Sequence, residues 1–115
     1  FLIWYGEYRG YDGMLRWAWN SWPEDPVNDS RFGKFPSGDT YFGYPGGRVS
    51  IRYEMMRDGI EAAEKMRILS AEGHSEEVKA ILDVIGEKEP DDPSFNMADA
   101  LDRAKEMLNS LSDSK

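Results

Sequence analysis

The sequence predicts an α/β fold, and three observations carry the prediction. Residues 14–20, MLRWAWN, form an apolar, aromatic-rich run with the two-residue period of a strand. Leu15, Trp17 and Trp19 point to one side and Met14, Arg16, Ala18 and Asn20 to the other, so both faces carry apolar groups. A strand buried on both sides belongs to a parallel sheet covered by helices rather than to an open antiparallel one. The second half of the chain then repeats its apolar residues at helical spacing. Lastly, polar residues begin where the run ends, at Asn20, Ser21 and Trp22-Pro23, and parallel α/β folds place their chemistry at that end of a strand.

Taken in order, residues 1–9 come first. Leu2, Tyr5 and Tyr8, three apart, fit the last turns of a helix with Gly10 as its C-cap; an equally apolar strand is the alternative. Tyr11-Asp12-Gly13 is a turn signal. Trp17, Trp19 and Trp22, three of the 4 tryptophans, follow within six residues. Such spacing means a buried ridge or a wall against which something flat lies. Residues 23–38 make a long loop with Pro23, Pro26 and Pro36 beside Glu24, Asp25, Asn28 and Asp29. Loops beyond about 12–15 residues are functional or disordered as a rule, and Trp22, Phe32 and Phe35 argue that this one is packed. Residues 40–44 read as a short strand closed by Pro45-Gly46-Gly47.

From Ser50, a plausible N-cap, to about Ser70 the pattern is helical, with Tyr53, Met56, Ile60, Ala63 and Met66 as one stripe. Gly59 interrupts it at a cost of about 1 kcal/mol relative to Ala, which close approach to another backbone would compensate. A second helix over residues 75–85 places Val78, Ile81, Leu82 and Ile85 on one face and stops at Gly86. A third starts near Asn96, with Met97, Leu101, Ala104, Leu108 and Leu111 as its stripe. The loop between them, residues 87–93, is acidic and proline-broken, and the six methionines read as core filler.

At 115 residues the chain is one domain or a piece of one, with 40% hydrophobic residues for a core and 31% charged ones to keep it soluble. A net charge of −8, from 22 acidic against 14 basic residues, argues against nucleic acid as a partner, since a polyanion needs a basic face. Without cysteine there is no disulfide or thiolate metal site, and the redox compartment stays open. No apolar run approaches the roughly 20 residues of a membrane helix, so no membrane partner is expected. The opening Phe1-Leu2-Ile3-Trp4-Tyr5 lacks a starting Met and a secretion signal, as expected of a piece cut from a longer chain.

The order YDGMLRWAWNSW, a polar loop, PSGDTYFGYPGG and a helix opening SIRYEMMRDGIE resembles the C-terminal part of glycoside hydrolase family 123 and of the related domain of unknown function 4091. The resemblance covers residues 1–69, and three separated motifs in the expected order make it specific. It implies a (β/α)8-barrel enzyme acting on β-linked N-acetylgalactosamine by a substrate-assisted retaining mechanism, with the sugar's own acetamido group as nucleophile. Such a barrel needs about 200 residues or more. Residues 1–72 would then be its C-terminal strands and helices, and residues 73–115 a helical extension with two extra helices. In isolation such a piece would look α+β and mostly helical. Where the family tends to read RDGIEDYE, residues 57–64 read RDGIEAAE, which changes local packing rather than the motif. The resemblance implies no cofactor and favours a secreted or periplasmic place.

Substrate-assisted hydrolysis needs one acid to protonate the leaving oxygen and a second carboxylate to orient the acetamide, which the family supplies as an adjacent Asp-Glu pair on an earlier strand. That pair is not in this sequence, so no catalytic residue is assigned. Glu24-Asp25, Glu76-Glu77 and Asp91-Asp92 have the wrong order or setting, and Glu24-Asp25 reads better as a solvated turn. What the segment can supply is recognition: Trp17, Asn20, Trp22, Asp39 and Tyr44 form a sensible set for an N-acetylhexosamine-containing glycan, with rings for sugar C–H faces and polar groups for hydroxyls.

Each has a structural alternative. Trp17 equally fits a barrel filler and Asp39 a turn former, while Trp19 reads better as a helix-facing core residue. Arg57 and Glu61 have the spacing of a surface ion pair. His74, the one histidine, reads as a cap or a solvated side chain and makes neither triad nor metal site. Asp25, Asn28 and Asp29 lack the spacing of a calcium loop. The remainder of the parent barrel is the other implied partner. An alternative of a different class is a non-catalytic sugar- or protein-binding or assembly domain, whose aromatic face docks a partner while its acidic helices act as a scaffold.

Overall fold

The computed structural model describes residues 1–29, 31, 36 and 41–114. Its elements are α1 (Leu2–Arg9), β1 (Gly43–Tyr44), β2 (Arg48–Val49), α2 (Ile51–Leu69), α3 (Ser75–Ile85) and α4 (Met97–Asp113). The chain divides into two compact units, Phe1–Met14 with Gly59–Lys115 and Leu15–Asp58. The division falls inside α2. The described residues are mostly helical with one small antiparallel sheet, which gives the α+β character.

The helical unit is built around Trp4, Met66, Leu69, Val78, Ile81, Ile85, Leu101, Ala104 and Leu108. Leu2–Arg9 forms the helix rather than the alternative strand, and its buried residue is Trp4 while Leu2 turns outward. Gly10 caps α1 at φ 72°, and its N–H and that of Tyr11 donate to Glu7 O and Gly6 O, as the C-cap signal predicted. α3 has its expected bounds and buries Val78, Ile81 and Ile85. Asn96 caps α4 by accepting a 3.0 Å hydrogen bond from Asp99 N, and Ala100, Leu101, Ala104 and Leu108 face inward. Met97 and Met107 stay outside, and only Met66 of the six methionines is buried, so methionine is not the core filler here.

α2 is joined to α3 by a wide π-helical turn over Ser70–His74. Gly73 breaks it at φ 100°, where a Cβ would be strained, and kinks the chain between the two helices. His74 occupies the N-cap of α3 without a side-chain cap bond, its Nδ1 3.5 Å from Glu77 Oε1. Of the expected α2 stripe, Ala63 and Met66 are buried, but at its middle Gly59 lies inward while Ile60 is 53% exposed. The cause is α1. A Cβ at Gly59 would stand 2.9 Å from Ile3 Cβ, so the two helices meet at a place only glycine fits. The close approach read from the sequence is therefore to the root of a side chain.

The expected strand over residues 14–20 is not formed. Among the described residues that run contributes a single antiparallel bridge, Asn20 with Tyr41, and Leu15 is 96% exposed. A strand needs a partner ladder, and the one sheet described is the hairpin pairing Gly43 with Val49 and Tyr44 with Arg48. Its turn, Pro45-Gly46-Gly47, is the one the sequence marked, with φ 79° and 75° at the two glycines. Of the expected strand over residues 40–44, Thr40 lies outside the described residues.

Candidate functional site

The unit Leu15–Asp58 is held together by the backbone of Phe42. Phe42 N donates to Trp19 O at 3.2 Å, and Phe42 O accepts from Ser50 N at 3.2 Å and from Ser50 Oγ at 3.0 Å. Ser50 Oγ in turn accepts from Tyr53 N at 3.2 Å, so the predicted N-cap starts α2 and ties it to the hairpin. Side chains repeat the pattern. The Trp19 ring stacks on Phe42 with centroids 4.9 Å apart and meets Tyr53 edge-on at 5.9 Å. Trp19 thus faces a helix, but at 48% exposed it is not the core residue expected. The Arg16 guanidinium stands 5.5 Å from the Phe42 ring centroid.

Of the five sugar-contact candidates, Asn20, Trp22 and Tyr44 are held against the hairpin segment of this unit. Trp22 Nε1 donates to Gly43 O at 2.9 Å, which fixes the indole against β1 with part of its surface open. Asn20 is exposed opposite Tyr41 in the bridge. Tyr44 is half-buried, its ring edge-on to Tyr41 at 5.1 Å. Trp17 is 61% exposed, so within this unit it is not a core filler. Asp39 lies outside the described residues, as do Phe32 and Phe35, on which the packed-loop expectation rested.

Tyr41 and Phe42, which the sequence does not single out, are the buried pair among the described residues of the unit. The available signal was the aromatic density of Tyr41-Phe42-Gly43-Tyr44, from which only Tyr44 was selected. Burial, then the charges of Tyr44, Asp29 and Asp25, hold the Tyr41 hydroxyl above the ordinary tyrosine value. At neutral pH it is protonated, and among the described residues no hydrogen-bond partner meets it.

Two acids of the loop, Asp25 and Asp29, are engaged with neighbours. Asn28 Nδ2 donates to both Asp25 oxygens, at 3.2 and 3.0 Å. Asp29 accepts from Arg31 Nε at 2.9 Å, from its Nη2 at 2.7 Å and from its backbone N at 3.1 Å. Those bonds lower Asp29 from the usual 3.8 to about 2. It is ionised at neutral pH and cannot donate a proton there. Because the folded value is depressed, the contribution of this turn is complete above the ordinary aspartate value and is lost as pH falls towards 2. Carboxyl carbon resonances are expected to titrate near 2 for Asp29, and Arg31→Ala, which removes the side-chain bonds but keeps the backbone one, to raise it part of the way to the ordinary range; an unmoved midpoint would mean that the Arg31 side chain is not the main cause.

A family model described as glycoside hydrolase 123, catalytic domain, matches residues 1–69. That is more than half of the chain and takes in the whole Leu15–Asp58 unit. The chain belongs to glycoside hydrolase family 123, and its function is related to glycoside hydrolysis. No curated protein and no solved structure matches it. No described helix is long and apolar enough to cross a membrane.

Proposed function

We propose that the Leu15–Asp58 unit supplies substrate-contacting residues to a glycoside hydrolase acting on an N-acetylhexosamine-containing glycan. The single observation that carries this reading is that the family match spans the entire aromatic unit. Pyranose C–H faces stack on aromatic rings, and Trp17 and Trp22 both keep open surface, Trp22 with its ring held by Gly43. Asn20 and Tyr44 add polar groups, and Asp39 completes the set.

In the same proposal residues 1–72 are the C-terminal part of a (β/α)8 barrel and residues 73–115 a helical extension. The stretches at 14–20 and 40–44 are its last staves, which pair once the preceding staves are present. The reaction is substrate-assisted with retention, and the acid and the acetamide-orienting carboxylate come from residues outside this sequence. Nothing in the chain calls for a cofactor.

Isothermal titration of N-acetylgalactosamine against the full-length protein that carries this segment is the test. Trp17→Ala and Trp22→Ala are each expected to raise Kd at least tenfold, about 1.4 kcal/mol. Trp22→Phe, which keeps a ring but loses the N–H to Gly43, is expected to fall between. Unchanged affinity in both alanine variants would remove the tryptophans from the site.

A further inference from the structure

A cleft of about 600 Å³ opens on the helical unit between α1, the start of α3 and the turn after α3. That volume lies within the roughly 300–1,000 Å³ of ordinary ligand sites. Its α1 wall, with Tyr5 and Tyr8, lies inside the matched residues, while the rest of the lining lies beyond them. We infer that this cleft is a second binding site, for a neutral polyhydroxylated ligand such as one or two sugar rings.

The charge of the lining decides the ligand class. Glu7, Asp83 and Glu89 face Arg9, Lys79 and Lys88, three acids against three bases. Arg67, which reaches Glu7 at 3.1 Å, is shared with Glu64 at 3.2 Å and so adds no surplus. A site for a phosphate or a carboxylate shows a cationic surplus, and a site for an amine an anionic one. Here the lining has neither, yet it is rich in donors and acceptors, with Ser70 and Ser75 hydroxyls beside them. Sugar hydroxyls, each both donor and acceptor, match such a lining.

The aromatic component is equally particular. Tyr8 lies over Gly86, where a Cβ would collide with its ring, so the missing side chain is what lets the ring settle at the rim. Tyr5 lies 6.1 Å from Tyr8 between centroids, and its hydroxyl joins Arg9 Nη1 at 3.4 Å and Glu89 Oε2 at 3.5 Å. Because Tyr5 is stacked on Phe1 at 6.1 Å and has the Arg9 guanidinium 6.0 Å from its ring centroid, Tyr8 at the rim is the ring that offers a sugar an apolar face, with the Tyr5 hydroxyl as a polar neighbour.

The site rests on the helical unit's own geometry, and its test separates it from the tryptophan set. N-acetylgalactosamine or lactose added to the ¹⁵N-labelled chain is expected to move the amides of Tyr8, Lys79, Asp83 and Gly86 saturably. Tyr8→Ala should weaken that response at least tenfold while Trp17→Ala leaves it intact. Lys79→Glu, at an exposed position, should swing the cleft towards the cationic sugar glucosamine without lowering the melting temperature. The inference is overturned if no saturable shift appears at these amides, or if Tyr8→Ala in a folded chain leaves it unchanged. It is equally overturned if N-acetylneuraminic acid or glucosamine binds the unaltered cleft as tightly as the neutral sugars.

Discussion

Trp4→Ala is expected to destabilise the helical unit by about 3–5 kcal/mol, the cost of removing a fully packed aromatic and leaving its cavity. Trp4 is 2% exposed and sits in one cluster with residues of α2, α3 and α4, so no single neighbour can fill the space it leaves. Against a total stability of about 5–15 kcal/mol for a small domain, that is a large part of the whole. With a urea slope of about 1–3 kcal/mol/M, the midpoint followed by far-ultraviolet circular dichroism should fall by on the order of 1–5 M. Trp17→Ala is the matched control: the same residue type at an exposed position should stay within about 0.5 kcal/mol. Equal losses from the two variants would mean that Trp4 is not the centre of this core.

Gly59→Ala is expected to destabilise as well, although alanine is the better helix former. An exposed helical glycine replaced by alanine gains up to about 1 kcal/mol. Here the new Cβ would stand 2.9 Å from Ile3 Cβ and 3.0 Å from Ile3 Cγ1. Ile3 Cβ is fixed to the backbone of α1, so relief requires the two helices to part, at an overpacking cost of about 1–3 kcal/mol. The net effect should be a loss of order 1–2 kcal/mol. Placed in an Ile3→Gly background, the same substitution should lose most of its cost, giving a coupling of about 0.5–3 kcal/mol in a double-mutant cycle. A stabilised Gly59→Ala chain, or a cycle without coupling, would show that the helices do not meet there.

Both predictions turn on which side of a helix is covered, and that was the part the sequence disclosed least. The apolar residues of α2 mark a stripe through Ile60, but the neighbour requires the smallest residue, so Gly59 lies inward and Ile60 outward. In α1 the three-residue spacing of Leu2, Tyr5 and Tyr8 was visible, whereas the one buried residue is Trp4 between them. The tryptophan run shows the same limit more sharply. Alternation identifies residues suited to a strand, but a strand exists only where another offers its N–H and C=O groups, and among the described residues that run finds one bridge.

Of the candidate site, the sequence disclosed the residue types and the family, because three motifs in order need no coordinates to be read. It did not disclose that Phe42 is the post to which Trp19, Ser50 and the hairpin are tied, since those bonds join residues distant along the chain. Nor did it disclose the cleft beneath Tyr8, whose lining comes from three separate segments.

What the amino-acid order determined by itself is local: the Gly10 and Asn96 caps, the bounds of α3, the Ser50 start of α2 and the Pro45-Gly46-Gly47 turn. Each depends on hydrogen bonds or backbone angles within a few residues, so the residues that form it are also its signal. The tertiary structure alone decided which faces are covered, because burial is a property of two surfaces and a sequence displays them one at a time.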